Sequence, residues 1–321
     1  MSLPVGPDDI QRAQRILAGR IHRTPCLPSR SLSDLAGCRL HLKLENLQKT
    51  GSFKPRGAVV NLAGLSEETL RRGVITVSAG NHAQAVAWAA ASMGCSSVVV
   101  MPSSASAAKA EAARGYGAEV ILHGDLRQIF GRMEEIRAER RLTFVHPFDA
   151  PATVAGQATV GAEILEDVPD ADLVVAGIGG GGLISGIALA VKESRPACRV
   201  IGVEPEGAPA MRRSLDEGRP VHLDAIDTIA DGLAAPFAGS LNFEIVRSRV
   251  DDVITIPDGE IRRAMRLLLE RCKILVEPAG AAATAALLSG RIPVRKDERV
   301  VSVVSGGNVS AEDLARFLTT T

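Results

Sequence analysis

Short apolar runs alternate with longer amphipathic segments along most of the chain. The first amphipathic segment runs from Asp8, the expected N-cap, to Gly19, and its apolar residues share one helical face. Pro25 then predicts an extended segment. Apolar strands are predicted at 74–78, 97–101, 119–123 and 143–146, with crossover helices such as 83–93 and 126–140 between them.

A second set of the same kind follows, with strands predicted at 173–176, 199–203, 252–256 and 299–304. Strand, helix and strand in repeated order imply parallel sheet with helices on its faces. No Gly/Ser linker separates the two sets, so the two lobes are expected to pack closely. We therefore predict an α/β protein of two doubly wound, mainly parallel domains with a cleft between them. Residues 1–68 and 149–321 form the large domain, and residues 69–148 form the small one.

The amino-acid composition disfavours several classes of function but does not identify a single one. The 321 residues carry 37 basic and 37 acidic side chains, so no basic excess indicates a nucleic-acid partner. No run approaches the roughly 20 apolar residues of a membrane span, and the first residues resemble neither a secretory signal nor a transit peptide. The five cysteines are scattered and form no C-x-x-C pair, which is typical of thiols in a reducing cytoplasm.

The glycine run at 177–182 is the most informative local motif. It follows a predicted strand and precedes a helical segment, so its N–H groups and the helix N-terminus can bind a phosphate. The same glycines satisfy G-x-G-x-x-G, and Glu204 ends the next strand, where a ribose-binding acid would lie in a nicotinamide dehydrogenase. A turn that serves only close helix–strand packing explains four successive glycines poorly.

Lys54 stands in an apolar context, after Phe53 and before Pro55, within the segment KTGSFKPRGA. The chain has only seven lysines against thirty arginines. A partly desolvated lysine has a lowered pKa and can act as an amine nucleophile and base. A snorkelling surface lysine is the alternative for this position taken alone.

Two further strand ends carry polar groups. The loop SAGNHAQ at 78–84 offers a hydroxyl, an amide and N–H groups to a substrate carboxylate, or simply an N-cap by Ser78 or Asn81. His82 in this loop is a candidate base or a residue that orients the turn. Ser305, after the last strand, is a candidate hydrogen-bond partner for a ring nitrogen or the cap of the final helix.

A pyridoxal phosphate enzyme that acts on an amino acid needs four elements. This chain offers all four: a glycine loop for the phosphate, a desolvated lysine, a loop for the substrate carboxylate and a hydroxyl for the ring nitrogen. The amino-acid sequences of the motifs are also distinctive. KLENLQKTGSFKPRGA, SAGNHAQA, YGAEVILHG, GQATVGAEIL, GIGGGGLISG, GVEPEGAPA, EPAGAAATAALL and SGGNVS resemble the threonine dehydratase and serine racemase group of fold-type II pyridoxal phosphate enzymes. The resemblance covers about residues 23–310.

The resemblance implies a role for each matching residue. Lys54 would carry the cofactor and act as the catalytic base, and the phosphate would be held by Gly179, Gly180, Gly181, Gly182 and Leu183. Asn81 would contact the ring hydroxyl, and Ser305 the pyridine nitrogen. The substrate carboxylate would be bound by the loop residues Ser78, Ala79, Gly80, Asn81 and His82. The expected reaction is deamination of L-threonine or L-serine to a 2-oxo acid and ammonia, and the expected assembly is a homodimer.

Three departures from the group refine this expectation. Racemising members carry a serine where this chain has Ala79, which has no proton to give. The metal site of the racemases resembles Glu204, Ala208 and Ala210 in position, but Ala210 supplies no carboxylate, so we predict no metal. Because few residues follow SGGNVS, we expect no regulatory domain of the kind found in the feedback-inhibited dehydratases.

Several alternatives remain open from the sequence alone. On the same scaffold, the chain could act on 3-hydroxyaspartate, racemise serine or carry out a cysteine-synthase-like β-replacement. Two alternatives belong to other functional classes: a nicotinamide dehydrogenase that uses residues 177–182, and a non-catalytic binding protein. Retention of Lys54 together with all four elements disfavours the last of these.

Overall fold

The computed structural model describes residues 3–125 and 128–319, whose strands form two separate sheets. In chain order the strands are β1 (Cys26–Pro28), β2 (Arg39–Leu44), β3 (Val74–Val77), β4 (Ser97–Met101), β5 (Glu119–Leu122), β6 (Thr143–Phe144), β7 (Leu173–Gly177), β8 (Arg199–Pro205), β9 (Asp252–Ile256) and β10 (Arg299–Val304).

Helices cover the faces of both sheets. They are α1 (Pro7–Leu17), α2 (Arg30–Ala36), α3 (Lys54–Ala63), α4 (Glu67–Arg72), α5 (Asn81–Ser92), α6 (Ala107–Gly115), α7 (Ile129–Arg140), α8 (Pro151–Asp167), α9 (Gly182–Ser194), α10 (Ala210–Glu217), α11 (Ser240–Arg249), α12 (Asp258–Leu267), α13 (Pro278–Leu288) and α14 (Ala311–Thr319). Short 3₁₀ turns occur at Glu45–Leu47 and Asp231–Leu233, and a π-helical turn at Leu268–Cys272. Within the described ranges, no helix is both long and apolar enough to cross a bilayer.

The larger sheet has six strands in the order β1-β2-β10-β7-β8-β9. Its pairs are parallel except for the short edge strand β1, which runs antiparallel to β2. The smaller sheet has four parallel strands in the order β5-β4-β3-β6. Parallel strands buried on both faces read as continuous apolar runs, which is the pattern of β3, β4 and β7. The predicted class of two mainly parallel α/β layers is confirmed.

All eight predicted strands are present; three have the predicted bounds, and the other five differ at one end by one or two residues. The prediction missed β1 and β2 as strands, because that segment was expected only to be extended. The predicted N-cap of the first helix was wrong. Gly6 occupies that position, and its N–H donates to the Asp9 carboxylate at 3.0 Å. In the helix predicted at 126–140, Leu126 and Arg127 lie outside the described residues, and α7 begins at Ile129.

Close contacts among α3, α8 and α9 fix the position of the segment that bears Lys54. A Cβ on Gly156 of α8 would lie 2.6 Å from the Arg56 carbonyl oxygen of α3. A Cβ on Gly186 of α9 would lie 2.5 Å from the Ala158 nitrogen of α8. Both distances are below any tolerated contact, so glycine is required for this spacing of the helix axes. These three helices form a rigid base beneath the residues described next.

Candidate active site

Lys54 is the first residue of α3, and its amine is partly buried between the two sheets. The Nζ atom donates to the carbonyl oxygen of Pro147 at 3.0 Å and lies 5.0 Å from the centroid of the Phe53 ring. Burial lowers the pKa of Lys54 to about 8, although the charge of Glu277 opposes this shift. About a tenth of the amine is therefore neutral at pH 7, far more than for an ordinary lysine, and can act as a nucleophile or a base.

The glycine loop leads from the end of β7 into α9. Gly181 has φ +96°, a left-handed conformation that favours glycine, and α9 begins at the next residue. The N–H groups of Gly179, Gly180 and Gly181 donate to no described part of the chain. Free N–H groups at a helix N-terminus are a binding site for an anion.

The loop at the end of β3 is held by its own hydrogen bonds. The Gly80 N–H donates to the Ser78 hydroxyl oxygen at 3.1 Å, and Gly80 is the N-cap of α5, so neither Ser78 nor Asn81 fills that position. The Asn81 amide donates from Nδ2 to Glu277 Oε1 at 2.6 Å, and its Oδ1 accepts from Asn308 Nδ2 at 2.8 Å. Both ends of this amide are thereby fixed.

Glu277 and Asn308 are site residues that sequence reasoning missed. Glu277 is the N-cap of α13, but its carboxyl makes no capping bond and is directed to Asn81 instead. Burial and the nearby charge of Asp231 raise the pKa of Glu277 to about 8, against the lowering effects of Asn81, Lys109 and Lys54. The carboxyl is therefore largely protonated at neutral pH. Its only sequence signal was its place in the motif EPAGAAATAALL.

His82 is buried beside this loop, and its ring bonds to the carbonyl oxygen of Val145 at 3.2 Å through Nε2. Burial, with the charge of Lys54, lowers the pKa of His82 to about 3, so the ring stays neutral at physiological pH. A group with a pKa of about 3 takes up a proton only in acidic solution, so it is poorly matched to general acid–base catalysis at neutral pH. The geometry favours the orienting role over the catalytic one.

Ser305 lies just beyond β10, next to the segment that bears Lys54. Its hydroxyl is buried and makes one long bond, 3.4 Å, to the Ala279 carbonyl oxygen. The Phe53 N–H donates to the Ser305 carbonyl oxygen at 3.1 Å, and Ser52 forms an isolated bridge with Gly306. The hydroxyl is thus poorly satisfied within the chain and available to another partner.

Direct contacts join these elements into one site. Pro147, which accepts from Lys54, precedes Phe148, and the Phe148 ring covers Gly180 so closely that a Cβ there would lie 2.3 Å from it. The Glu277 N–H donates to the Gly306 carbonyl oxygen at 3.2 Å, which connects the Asn81 loop to the end of β10. The residues singled out in the sequence therefore converge in the cleft.

Arg56, two residues after Lys54 on α3, is the centre of a buried charge cluster. Arg56 uses all of its N–H groups, in bidentate pairs with Glu45 and Glu163 at 2.7–2.8 Å and in a bond to Thr159 at 2.9 Å. Lys43 donates to Glu163 at 2.6 Å. Such a fully satisfied network fixes the start of α3 against β2 and α8.

Glu204 caps a helix, a role different from the ribose binding and the metal binding that the sequence suggested for it. Its carboxylate accepts from the N–H groups of Met211 and Arg212, both at 2.8 Å, and so caps α10. Burial raises its pKa to about 7. A carboxylate engaged with a helix end is not free to bind a ribose hydroxyl, which disfavours the dinucleotide alternative. Among the described residues, no cluster of three or more His, Cys, Asp or Glu side chains could hold a metal ion.

The site fits pyridoxal phosphate on its own chemistry. The glycine loop offers free N–H groups to a phosphate, Lys54 offers an amine of lowered pKa to an aldehyde, and the Ser305 hydroxyl can pair with a ring nitrogen. Asn81 retains one amide hydrogen for a ring substituent, because only one is used by Glu277.

Comparison with known proteins agrees with this fit. The L-threonine ammonia-lyase of Thermotoga maritima is 44% identical over 97% of this chain and 77% of its own length. The catabolic L-threonine dehydratase TdcB of Escherichia coli K12 is 44% identical over 98% of this chain and 95% of its own. The structure of maize serine racemase superposes with a TM-score of 0.94 at 38% identity, covering 97% of this chain and 96% of that one.

The family profile described as "Pyridoxal-phosphate dependent enzyme" matches residues 17–306, which include every element of the site built above except the last part of the SGGNVS segment. The chain therefore belongs to the family of pyridoxal-phosphate dependent enzymes.

Proposed function

We propose that this enzyme deaminates L-threonine, L-serine or both, to 2-oxobutyrate or pyruvate and ammonia. The overall reaction removes the α-hydrogen and β-hydroxyl as water and then returns water to release ammonia. The observation that carries the proposal is the Lys54 amine, with its pKa lowered to about 8, between the glycine loop and the Asn81 loop. Relatives named threonine ammonia-lyase and threonine dehydratase, at 44% identity over nearly the whole chain, support this substrate class.

The proposed cofactor contacts follow from the groups that the chain leaves unused. The phosphate is held by Gly179, Gly180, Gly181, Gly182 and Leu183. Ser305 pairs with the pyridine nitrogen, and Asn81 with the ring hydroxyl. When bound, pyridoxal phosphate supplies an electron sink that stabilises negative charge at the α-carbon of the substrate.

The proposed substrate contacts lie at the start of α5. The Ser78 hydroxyl accepts from Gly80, so its own hydrogen remains to be donated to the substrate carboxylate. The N-terminus of α5, with Ala79, Gly80, Asn81 and His82, favours the same anion through its dipole. Lys54 Nζ, neutral in part because of its burial, accepts the α-proton.

Elimination is favoured over racemisation because of Ala79. Racemisation needs a base on one face of the α-carbon and an acid on the other, and Ala79 has no proton to donate. Elimination needs only the base and a leaving group. On this argument serine is deaminated far faster than it is racemised.

The proposal also covers the organisation of the protein. Residues 1–68 and 149–321 form the cofactor-binding domain, and 69–148 form the small domain that carries the carboxylate loop. We expect a homodimer in the cytoplasm, without nucleic-acid or membrane partners; the free cysteines support a reducing compartment. Light scattering after size exclusion tests the dimer.

The direct test of the function is release of 2-oxobutyrate from L-threonine and of pyruvate from L-serine by the purified holoenzyme. Activity without added divalent metal is expected. Lys54→Ala should abolish turnover while Lys49→Ala retains it. A colourless wild-type protein that produces neither 2-oxo acid would refute the proposal.

A further inference from the structure

The Phe148 ring forms one wall of the cleft between Lys54 and the glycine loop. The carbonyl of the preceding residue, Pro147, is 3.0 Å from Lys54 Nζ. The ring lies directly on Gly180, where a Cβ would be 2.3 Å from its carbon atoms. Phe148 is only partly buried, so part of the residue remains accessible.

The position of this ring is fixed by its neighbours. The Phe148 carbonyl oxygen accepts from Asn242 Nδ2 at 3.0 Å, and the same amide donates to the Gly180 carbonyl oxygen at 2.9 Å. The ring packs edge-on against His146, with centroids 4.8 Å apart, and tilted against Phe237 at 5.5 Å. A ring held in this way presents a rigid apolar surface.

The titratable groups that interact with Lys54 carry little charge at neutral pH. Burial lowers the pKa values of His82 and His146, and burial raises that of Glu277. Among the described residues, the groups whose pKa values are coupled to the charge of Lys54 include no arginine and no second lysine. Lys109, which also interacts with Glu277, is paired with Asp231.

Apart from its amine, the substrate α-carbon carries three substituents, and each can be assigned to a part of the cleft. The proposed function directs the carboxylate to the loop 78–82 and the hydrogen to Lys54 Nζ. The side chain then faces the remaining surfaces, which are formed by Pro147 and Phe148 and by the turn at Asp231–Leu233 beside the glycine loop. A methyl or phenyl group gains by packing there, whereas a carboxylate would lose hydration without gaining a cation.

We propose that Phe148 determines substrate specificity, by packing against the β-substituent and selecting β-hydroxy amino acids with an uncharged, apolar side chain over 3-hydroxyaspartate. This inference rests on the proposed function, because it concerns the side chain of the same substrate. It also orders the two preferred substrates: threonine, with its extra methyl, gains more from the ring than serine does.

The kinetic test compares Phe148→Asn with wild type and with Phe317→Leu, a change at another partly buried phenylalanine, on α14. Values of kcat/KM are measured for L-threonine, L-serine and 3-hydroxyaspartate. Phe148→Asn should lower the threonine-to-serine ratio by about tenfold or more, the usual effect of a lost methyl contact. It should raise 3-hydroxyaspartate relative to threonine by a similar factor. Phe148→Leu, which keeps the wall apolar, and Phe317→Leu should leave both ratios within about threefold.

A binding test on the wild-type holoenzyme does not depend on turnover or on the folding of a variant. L-2-aminobutyrate and L-alanine differ by the same methyl as threonine and serine, and neither has a leaving group. Titration followed by the absorbance of the bound cofactor should give tighter binding of L-2-aminobutyrate by about threefold or more, and weaker binding of L-aspartate by about tenfold or more.

The outcomes separate this inference from the proposed function. Turnover of threonine with unchanged ratios in Phe148→Asn, or equal shifts in Phe317→Leu, would overturn the role of Phe148 alone. Tighter binding of L-aspartate than of L-2-aminobutyrate would overturn it as well. Absence of 2-oxo acid from every substrate would refute the proposed function. The relative affinities for L-2-aminobutyrate, L-alanine and L-aspartate would still test the role of the Phe148 ring.

Discussion

Glu277 offers a sensitive test of the electrostatics of the cleft. The residue is 4% exposed, and its carboxyl accepts from Asn81 at 2.6 Å and has a pKa raised to about 8 by burial, against an ordinary value of 4.5. Glu277→Gln keeps the size of the side chain and an oxygen that can accept from Asn81, but it removes the titrating proton. The substitution therefore isolates the free energy of ionising this buried group.

The sign and size of the effect follow from proton linkage. Between about pH 4.5 and pH 8 the folded protein keeps the Glu277 proton and the unfolded chain does not, so the stability of wild type falls as pH rises. One proton corresponds to about 1.4 kcal/mol per pH unit. The variant escapes this loss. At pH 7 it should be more stable than wild type by about 2–3 kcal/mol, and near pH 4.5 the two should be almost equal.

The assay is urea unfolding of the cofactor-free protein at a series of pH values, followed by circular dichroism. Glu67→Gln, on the exposed first turn of α4, removes a carboxylate that is not buried and should shift stability by less than about 0.5 kcal/mol at every pH. A difference between Glu277→Gln and wild type that stays constant with pH would refute the reasoning. So would a difference that shrinks as pH rises.

Three further predictions concern the cofactor and the reaction. Borohydride reduction of the holoenzyme, followed by peptide mapping, should place the pyridoxyl group on Lys54 and not on Lys49 or on Lys43, which is buried and bonded to Glu163. Ala79→Ser should increase D-serine formation relative to pyruvate from L-serine, by as much as about 10²-fold if the new hydroxyl is well placed. Gly181→Ala should weaken pyridoxal phosphate binding by about tenfold or more, because φ is +96° and a Cβ would meet neighbours at 2.8 Å.

Each of these has its own check. Pyridoxyl label on any lysine other than Lys54 contradicts the cofactor assignment. Chiral chromatography of both products decides the Ala79 prediction, and efficient racemisation by wild type would mean that another residue is the acid. For Gly181, the matched change is Gly259→Ala on α12, where a Cβ meets nothing within 4 Å. Equal cofactor affinity in both variants would contradict the glycine argument.

Much of the fold could be predicted because its signals are local. The apolar runs of β3, β4 and β7, and the glycines that follow β7, are continuous in sequence, so period and composition identify them. Their strand–helix order then predicts parallel sheets. β1 has only three residues and gives little signal, whereas β2, RLHLKL, alternates polar and apolar residues and could have been recognised. What its local sequence does not show is its pairing with β10, which lies more than two hundred residues away.

The candidate site divides in the same way. Lys54 and the glycine loop were identified from their immediate neighbours, whose apolar or glycine character predicts a desolvated amine and a phosphate cup. Glu277, Asn308 and Phe148 gave no such signal. Each lies in an ordinary local context, and its contacts with Asn81 or Gly180 come from distant parts of the chain.

The sequence by itself determined which groups of unusual chemistry the protein has, because glycine conformations and the apolar neighbours of a lysine are properties of adjacent residues. Only the tertiary structure decided how those groups are charged. The pKa values of Lys54, His82 and Glu277 depend on burial and on charges brought close by folding. Desolvation and Coulomb interactions act through space, and distance in space is not written in the order of the residues.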